Sequence, residues 1–387
     1  MDDDIIRIRV SSDNHLGFCE SDSIRCDDSF ASFEEVLVKA KLDKCDLVIL
    51  GGDLFHDQKP SRRTLHSTIQ IWRKYSYGDD PIYIDVLNSE SDEGLLQTPT
   101  GLPNFLDPYQ AISLPIFAIH GNHDEPSHDR GAESLSALDI LSSSNLINYF
   151  GKSDNVDDIN IKPICIKKKS TYIALYPLGA INDERLNRMF EQKKVFFHRP
   201  EDPRYFHILI VHQNADKGRG RKNCLHSSSI PKWIDLVIWG NEHECINEFI
   251  EIHTDHTKVY QPGSSIVTSF HETESIEHPK YMGHLEVKCH GKLTKPQYRL
   301  VNKEKYRYTQ FRPFFMKDIS LSEINNNNND FNLNPLDPDI ENKLNNYLKN
   351  QVSDIIKLAQ EKSKELYNQT PNNMMFRIKE ASKVLIR

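Results

Sequence analysis

Basic charge is what this chain has too little of. Across 387 residues, 48 lysines and arginines face 56 aspartates and glutamates, leaving a net charge of −8. That balance excludes a surface coated in positive charge, so any contact with a polyanion must be local. Long apolar runs are missing too: no stretch approaches the ~20 residues that a helix needs to cross a bilayer. The first residues, Met1-Asp2-Asp3-Asp4, are acidic where a secretory signal is basic. Cysteine is scarce. The seven present are odd in number, scattered, and form no Cys-x-x-Cys pair, which argues for reduced thiols in an intracellular protein rather than disulfides or a zinc knuckle. What remains, 38% hydrophobic and 27% charged, fits a soluble globular protein with a full core, holding one large domain plus a smaller piece.

Five short apolar runs stand out, each closing on the same kinds of polar residue. Residues 5–10 lead to Asp13 and His15, and residues 47–50 lead through Gly51-Gly52 to Asp53 and His56. Residues 115–119 lead to His120-Gly121-Asn122-His123-Asp124. Residues 207–211 lead to His212-Gln213-Asn214, and residues 235–239 to Gly240-Asn241-Glu242-His243. Each run reads as a buried strand. Each polar group then stands at the carboxyl end of its strand, where open α/β sheets bind ligands. A single Asp after a strand is ordinarily a turn residue or a helix cap. Five repeats of the construction, all ending in Asp, His or Asn, point instead to one binuclear site for hard-to-borderline divalent metals. The chain is organised around Asp53.

In chain order, residues 5–53 read as a βαβ unit. Asp28 or Ser29 caps a helix running to about residue 44, with Phe30, Phe33, Leu37 and Ala40 on its inner stripe. Pro60-Ser61 opens a second helix, to about residue 75, carrying Leu65, Ile69 and Trp72. Residues 84–112, with Ser89-Glu90-Ser91-Asp92-Glu93-Gly94 and three prolines, read as an irregular segment, either a binding loop or a disordered insert. Residues 134–143 read as a helix with Leu135, Leu138 and Leu141 on one side, 172–176 as a strand and 184–192 as a helix. Two basic stretches follow. Lys217, Arg219, Arg221 and Lys222 come directly after the His212 loop, and the glycines between them let backbone approach a polyanion, so this stretch reads as a phosphate contact. Residues 303–312 interleave bases with aromatics, as either a solvated surface or a stacking platform for nucleic acid. After residue 322 the character changes: Asn325 to Asn329 is a low-complexity linker, 339–366 is amphipathic, and Met375-Phe376-Arg377-Ile378 is strand-like. The expected organisation is a main domain over 1–315 and the beginning of a smaller one over 316–387.

The set Asp13-x-His15, Gly52-Asp53, Gly121-Asn122-His123-Asp124, His212 and Gly240-x-x-His243 resembles the calcineurin-like metallophosphoesterases. Within them, Gly52-Asp53-Leu54-Phe55-His56, Trp239-Gly240-Asn241-Glu242-His243-Glu244-Cys245 and Gln261-Pro262-Gly263-Ser264-Ser265 resemble the eukaryotic double-strand-break repair nucleases of the meiotic recombination eleven family, over about residues 5–320. The resemblance implies a four-layer α/β/β/α metallophosphoesterase sandwich with a small, partial C-terminal DNA-capping region. It implies two manganese ions per chain, DNA ends as substrate, and 3′-to-5′ exonuclease plus single-strand endonuclease activity. It places such a protein in the nucleus, in break repair and meiotic recombination. It implies a homodimer built as a helical bundle, expected through the helices containing Leu65, Ile69 and Trp72 and Leu135, Leu138 and Leu141, although the first of these stripes reads either as core packing against the sheet or as an interface. A coiled-coil ABC-type ATPase and a nibrin-type regulatory subunit, the latter on the 84–112 loop, are the further implied partners. No membrane partner is expected.

The chemistry has its own logic. A phosphodiester repels its nucleophile and has a poor leaving group; two metals ~3.5–4 Å apart activate a water and clamp the phosphate oxygens. Asp53 is the central bridging carboxylate. Asp13, His15 and His243 complete the first metal; Asn122, His212 and Asn241 the second. His123, beside a ligand rather than a ligand itself, faces substrate as a catalytic group. His56 orients substrate or another side chain near Asp53. Protein phosphatases share the metal box but look like Gly-Asp-x-x-Asp-Arg-Gly and Gly-Asn-His-Glu, unlike Asp53-Leu54-Phe55-His56 and Asn122-His123-Asp124. A stronger rival is a DNA-end-binding scaffold with a weakened metal site. Asn241 motivates it, because the resembling motif is Trp-Gly-His-x-His and an amide oxygen is a poorer transition-metal ligand than imidazole.

Overall fold

Apolar runs without polar interruption need cover on both faces, and two stacked sheets with outer helices supply it. The computed structural model describes residues 4–23, 25–88, 96–128, 133–153, 157–218, 220, 222–252, 257–269, 274, 278–289, 297–300, 304–305 and 338–367. One sheet runs in the order Gln297–Leu300, Tyr281–Lys288, Ile5–Ser11, Leu47–Leu50, Ile116–Ala118, Asn148–Tyr149, with Glu304–Lys305 also paired to Tyr281–Lys288. Its last four strands are mutually parallel. The other sheet runs Ile246–Glu251, Lys258–Gln261, Leu236–Gly240, Phe206–His212, Thr171–Leu178, Ile164–Lys168, Asp85–Val86. Four central strands, from Lys258–Gln261 to Thr171–Leu178, are parallel.

Strand alternation divides the core into layers. Ile6, Ile8, Val10, Leu47, Ile49 and Phe117 from the first sheet meet Ile166, Ile173, Leu175, Ile208, Ile210 and Ile238 from the second. The opposite faces, Val48, Leu50, Ile116 and Ala118 on one side, pack under Phe30, Phe33, Leu37, Trp72, Leu138 and Leu141. On the far side Ala174, Tyr176, Leu209, Val211 and Val237 pack under Leu186 and Met189. The result is an α/β/β/α sandwich. Register aligns the carboxyl ends of its parallel strands, with Ser11 beside Leu50, Leu50 beside Ala118, and His212 beside Gly240.

The helices differ from the sequence reading in instructive ways. The first spans Asp28–Leu42 and is preceded by Asp27, not capped by Asp28 or Ser29. The Ser29 hydroxyl instead accepts the Gly17 N–H at 3.2 Å. The second spans Arg62–Ser76, with Ser61 Oγ accepting the Thr64 N–H at 3.0 Å, a strong N-cap. The third begins later than periodicity suggests. It spans Ala137–Ser143 behind a Ser136–Asp139 capping box, which fixes the start and leaves Leu135 in a two-residue strand, 51% exposed. Trp72, Leu138 and Leu141 are fully buried against the sheet, so they cannot form the expected dimer faces; Leu65 and Ile69 are half-buried on the same core. The fourth helix is Asp183–Glu191.

The 84–112 segment is more ordered at its ends than an irregular loop. Asp85–Val86 pairs with the Ile164–Lys168 strand, Leu96 bridges to Phe150, and buried Asn104 donates to the Asn145 and Leu146 carbonyls. Residues 89–95 lie outside the described residues. The chain divides into two compact units, Met1–Arg312 and Pro313–Arg387. Of the second, a helix over Ile340–Tyr367 is described. The asparagine run, the strand-like 375–378 stretch and most of the basic–aromatic 303–312 stretch lie outside the described residues.

Candidate metal centre

The loops following the five strands converge where the two sheets' carboxyl edges meet. Asp13, His15, Asp53 and Asn241 all adopt left-handed backbone conformations, with φ of 51°, 48°, 50° and 73°. Such residues cost on the order of 1–3 kcal/mol each unless their surroundings dictate the conformation. Here the loops are zipped together: Asp13 N–H donates to the Gly52 carbonyl at 3.0 Å, and His15 N–H to the Asp53 carbonyl at 3.0 Å. Asp124, fully buried, accepts Gly121 N–H at 2.7 Å and Phe55 N–H at 3.1 Å, tying the third loop to the second. Two glycines are obligatory at this density. A Cβ on Gly52, at φ +98°, would sit 2.3 Å from His212 Nδ1, and one on Gly121 2.0 Å from Asp53 Oδ1.

The side chains form three overlapping groups. Asp13, His15 and His243 make one, Asp13, Asp53 and His212 a second, and His15, His56 and His123 a third. His15 Nε2 and His212 Nε2 lie 3.8 Å and 3.3 Å from the same oxygen, Asp53 Oδ2. His212 Nε2 is also 3.2 Å from Asn122 Oδ1, while its Nδ1 donates to the Gly51 carbonyl at 2.8 Å. His15 Nε2 faces His243 Nε2 at 3.2 Å, and His243 Nε2 is 3.7 Å from Asp13 Oδ1.

These donors fit metal ions. Asp13 Oδ1 is buried with no hydrogen-bond partner, an expensive condition for a carboxylate oxygen unless a cation completes it. Two imidazole nitrogens 3.2 Å apart have the separation of ligands sharing one ion at ~2.1 Å. Burial holds His15 well below the usual histidine range, so its lone pair is available. At His212 burial pulls down, but the Asp53 and Asp13 carboxylates outweigh it and raise the group to about 10. Burial would raise Asp53, yet His212 and His15 hold it far below the usual carboxylate range. Burial, with the like charge of Asp53 adding to it, raises Asp13 above the usual carboxylate range, and a cation beside it would favour its charged form. Beside the second group lies a cavity of ≈ 350 Å³, walled by Asn122, His212, Gln213, Asn214, Asn241 and Asp183 among others.

A family model described as calcineurin-like phosphoesterase matches residues 6–245. The chain belongs to the calcineurin-like phosphoesterase family. A second model, the Mre11 DNA-binding presumed domain, matches residues 301–387. Similar curated proteins include the double-strand break repair proteins MRE11 of Mus musculus and Homo sapiens, each 39% identical over 362 residues, covering 93% of this chain and 48% of theirs. The Arabidopsis thaliana MRE11 is 39% identical over 371 residues, with the same coverage. The chain spans about half the length of the curated relatives it matches.

The remaining candidate residues of this calcineurin-like phosphoesterase take distinct places. His123 binds Asp53 through its backbone, N–H to Oδ1 at 2.9 Å, while its Nδ1 lies 2.6 Å from the His56 carbonyl. The His56 and His123 rings stack at 5.1 Å and 24°, with His56 Nδ1 3.5 Å from His15 Nδ1. Asn241 N–H donates to Asp13 Oδ2 at 3.1 Å, but its side-chain Nδ2 donates to Asn214 Oδ1 at 2.9 Å; Asn214 in turn donates to Asp183 at 2.7 Å. The basic loop departs from the sequence reading. Lys217 Nζ pairs with Glu242 at 3.0 Å and Glu244 at 3.1 Å, because those carboxylates follow Asn241 on the neighbouring loop, so it is not held open for phosphate. Lys222 is exposed, and Arg219 and Arg221 lie outside the described residues. Sequence reasoning missed several supports: Ser12, whose hydroxyl donates to Asp13 at 2.5 Å, and the group Thr268, Glu274 and Lys280 behind His243. Asp124 stood within a quoted motif, but no spacing announces its backbone contacts.

Proposed function

We propose that the chain is a manganese-dependent DNA phosphodiesterase that acts at double-strand breaks. The observation that carries the reading is the pair of donor groups that share Asp13, whose Oδ1 is unpartnered, with Asp53 Oδ2 lying between His15 and His212. DNA is favoured as substrate because residues 301–387 match a DNA-binding presumed domain and the relatives are named as break repair proteins. Asp13, His15, Asp53 and His243 would hold one manganese ion; Asp53, Asn122, His212 and Asn241 the other. When bound, the pair supplies an activated water and neutralises the phosphodiester. His123, with its Nδ1–H held by the His56 carbonyl, has Nε2 left for substrate, and in the doubly protonated ring that nitrogen would give its proton to the leaving oxygen or stabilise the transferring phosphoryl group. His56 holds the His123 ring by stacking.

On this reading the activities are 3′-to-5′ exonuclease and single-strand endonuclease, used in repair and meiotic recombination in the nucleus. The protein works as a homodimer with a coiled-coil ABC-type ATPase and a nibrin-type subunit on the 84–112 segment, with Lys222, Arg219 and Arg221 contacting DNA. Digestion of labelled single- and double-stranded DNA with added manganese, beside a phosphopeptide control, tests the core of it. Phosphopeptide hydrolysis without DNA cleavage would replace the nuclease by a phosphatase. A second reading, a DNA-end-binding scaffold with weakened cleavage, is favoured by one contact: the Asn241 side chain is tied through Nδ2 to Asn214, which leaves only its neutral amide oxygen where an imidazole would be a stronger ligand. DNA binding with no manganese-dependent cleavage would support it.

A further inference from the structure

The histidines of the centre are not held alike. His15 and His212 are enclosed, with side-chain exposures of 1% and 0%, whereas the His243 side chain is 32% exposed. Packing fixes the first two rings; it cannot fix the third. Behind His243 stands a hydrogen-bonded column instead. His243 Nδ1 lies 2.6 Å from Thr268 Oγ1, and the Thr268 hydroxyl is 3.3 Å from Glu274 Oε2. Glu274 is itself secured: Oε2 accepts Ser269 N–H at 2.7 Å and Thr268 N–H at 3.2 Å, and Oε1 accepts Lys280 Nζ at 2.8 Å. Lys280 Nζ also donates to Ser264 Oγ at 2.7 Å and to the His243 carbonyl at 3.0 Å. Glu274 and Lys280 are each about 1% exposed. A buried ion pair so fully bonded grips both the backbone and the ring of one half-exposed histidine.

We propose that Thr268 and Glu274 are positioning residues for His243. The carboxylate accepts the Thr268 hydroxyl proton, which leaves that oxygen to accept a hydrogen bond from His243 Nδ1–H and fixes the tautomer with its lone pair on Nε2. Nε2 is the nitrogen that faces His15 Nε2 and Asp13 Oδ1. A carboxylate–hydroxyl–imidazole chain also raises the basicity of the ligating nitrogen, and loss of such outer partners typically weakens metal binding by about 10–100-fold. This rests on the metal-centre reading above, and its test separates the two.

The test compares Thr268→Val, which keeps the shape and removes the hydroxyl, with Thr268→Ser, which keeps the hydroxyl, in the full chain. Manganese affinity by calorimetry is the primary readout, with thermal melting of the metal-free proteins as the folding control. The valine variant should bind manganese about tenfold or more weakly at an unchanged metal-free melting temperature; the serine variant should bind like the parent. Glu274→Gln should fall between them, because an amide can still accept from Thr268 but loses the Lys280 charge pair. Parental affinity in the valine variant, or failure of serine to restore it, overturns the relay. A parent that binds manganese but leaves DNA uncut overturns the nuclease reading and leaves the relay standing.

Discussion

At the scale of single residues, the division of labour at the centre follows from which atom each residue commits. His123 commits its backbone N–H to Asp53 and its Nδ1 to the His56 carbonyl, so its ring can leave without removing a metal donor. His123→Ala should therefore retain manganese, within about twofold by calorimetry, while DNA cleavage falls about 10²–10⁴-fold, the range of a lost general acid or base. Loss of metal in that variant would show the ring to be a ligand. Asn241 is the reverse case. Its backbone serves Asp13 and its amide is drawn to Asn214. Its left-handed φ of 73° suits histidine as well as asparagine, so Asn241→His is conformationally permitted. It should tighten the weaker manganese site by about tenfold, roughly 1.4 kcal/mol, and raise cleavage at low manganese. A variant no better than its parent in both measurements would make Asn241 an adequate ligand. The residue types at the centre were legible because each closes an apolar run. Thr268 and Lys280 were not, standing 25 and 37 residues beyond the histidine they serve with no periodic signal between.

At the scale of elements, periodicity told strands and helices apart but not which way an apolar stripe faces. The strand runs were readable because burial on both faces leaves them continuous: all four residues of Leu47–Leu50 are buried. The third helix shows the limit. Leu135, Leu138 and Leu141 repeat at helical spacing, yet the Ser136–Asp139 capping box starts the helix after Leu135 and turns only the latter two inward. A stripe that packs on its own sheet and one that packs on a second copy look alike in sequence; the sheet beneath decides. Leu141→Ala should cost about 2–5 kcal/mol in urea unfolding, as for a closed core site. Ile140→Ala, at a position 54% exposed, should stay within about 0.5 kcal/mol. Similar costs at both positions would mean that a second molecule covers this helix. Lys217 carries the same lesson for charge. A basic run reads as a free cation, and only the fold brings Glu242 and Glu244 to it.

At the scale of the whole molecule, the centre is a joint between the two sheets. Asp13, His15, Asp53 and Asn122 follow strands of one sheet, and His212, Asn241 and His243 end or follow strands of the other. Without a cation the joint sets Asp13 near the like charge of Asp53, leaves Asp13 Oδ1 unpartnered, and holds four residues in left-handed conformations. Each of these opposes folding, and the unfolded chain carries none of them. A cation that binds the assembled site and not the unfolded chain must therefore stabilise the whole sandwich by mass action. At free manganese 100 times its dissociation constant, the unfolding free energy should rise by about 2.7 kcal/mol for each independent site. Chelator should return the midpoint of chemical denaturation to its metal-free value. Asp53→Asn, which weakens the carboxylate common to both proposed ligand sets, should abolish most of the gain, and it should lower metal-free stability as well, since buried His212 loses the carboxylate 3.3 Å away that holds its charged form. A manganese-induced shift that survives Asp53→Asn would place the stabilising ion elsewhere in the molecule and separate the joint from its metal.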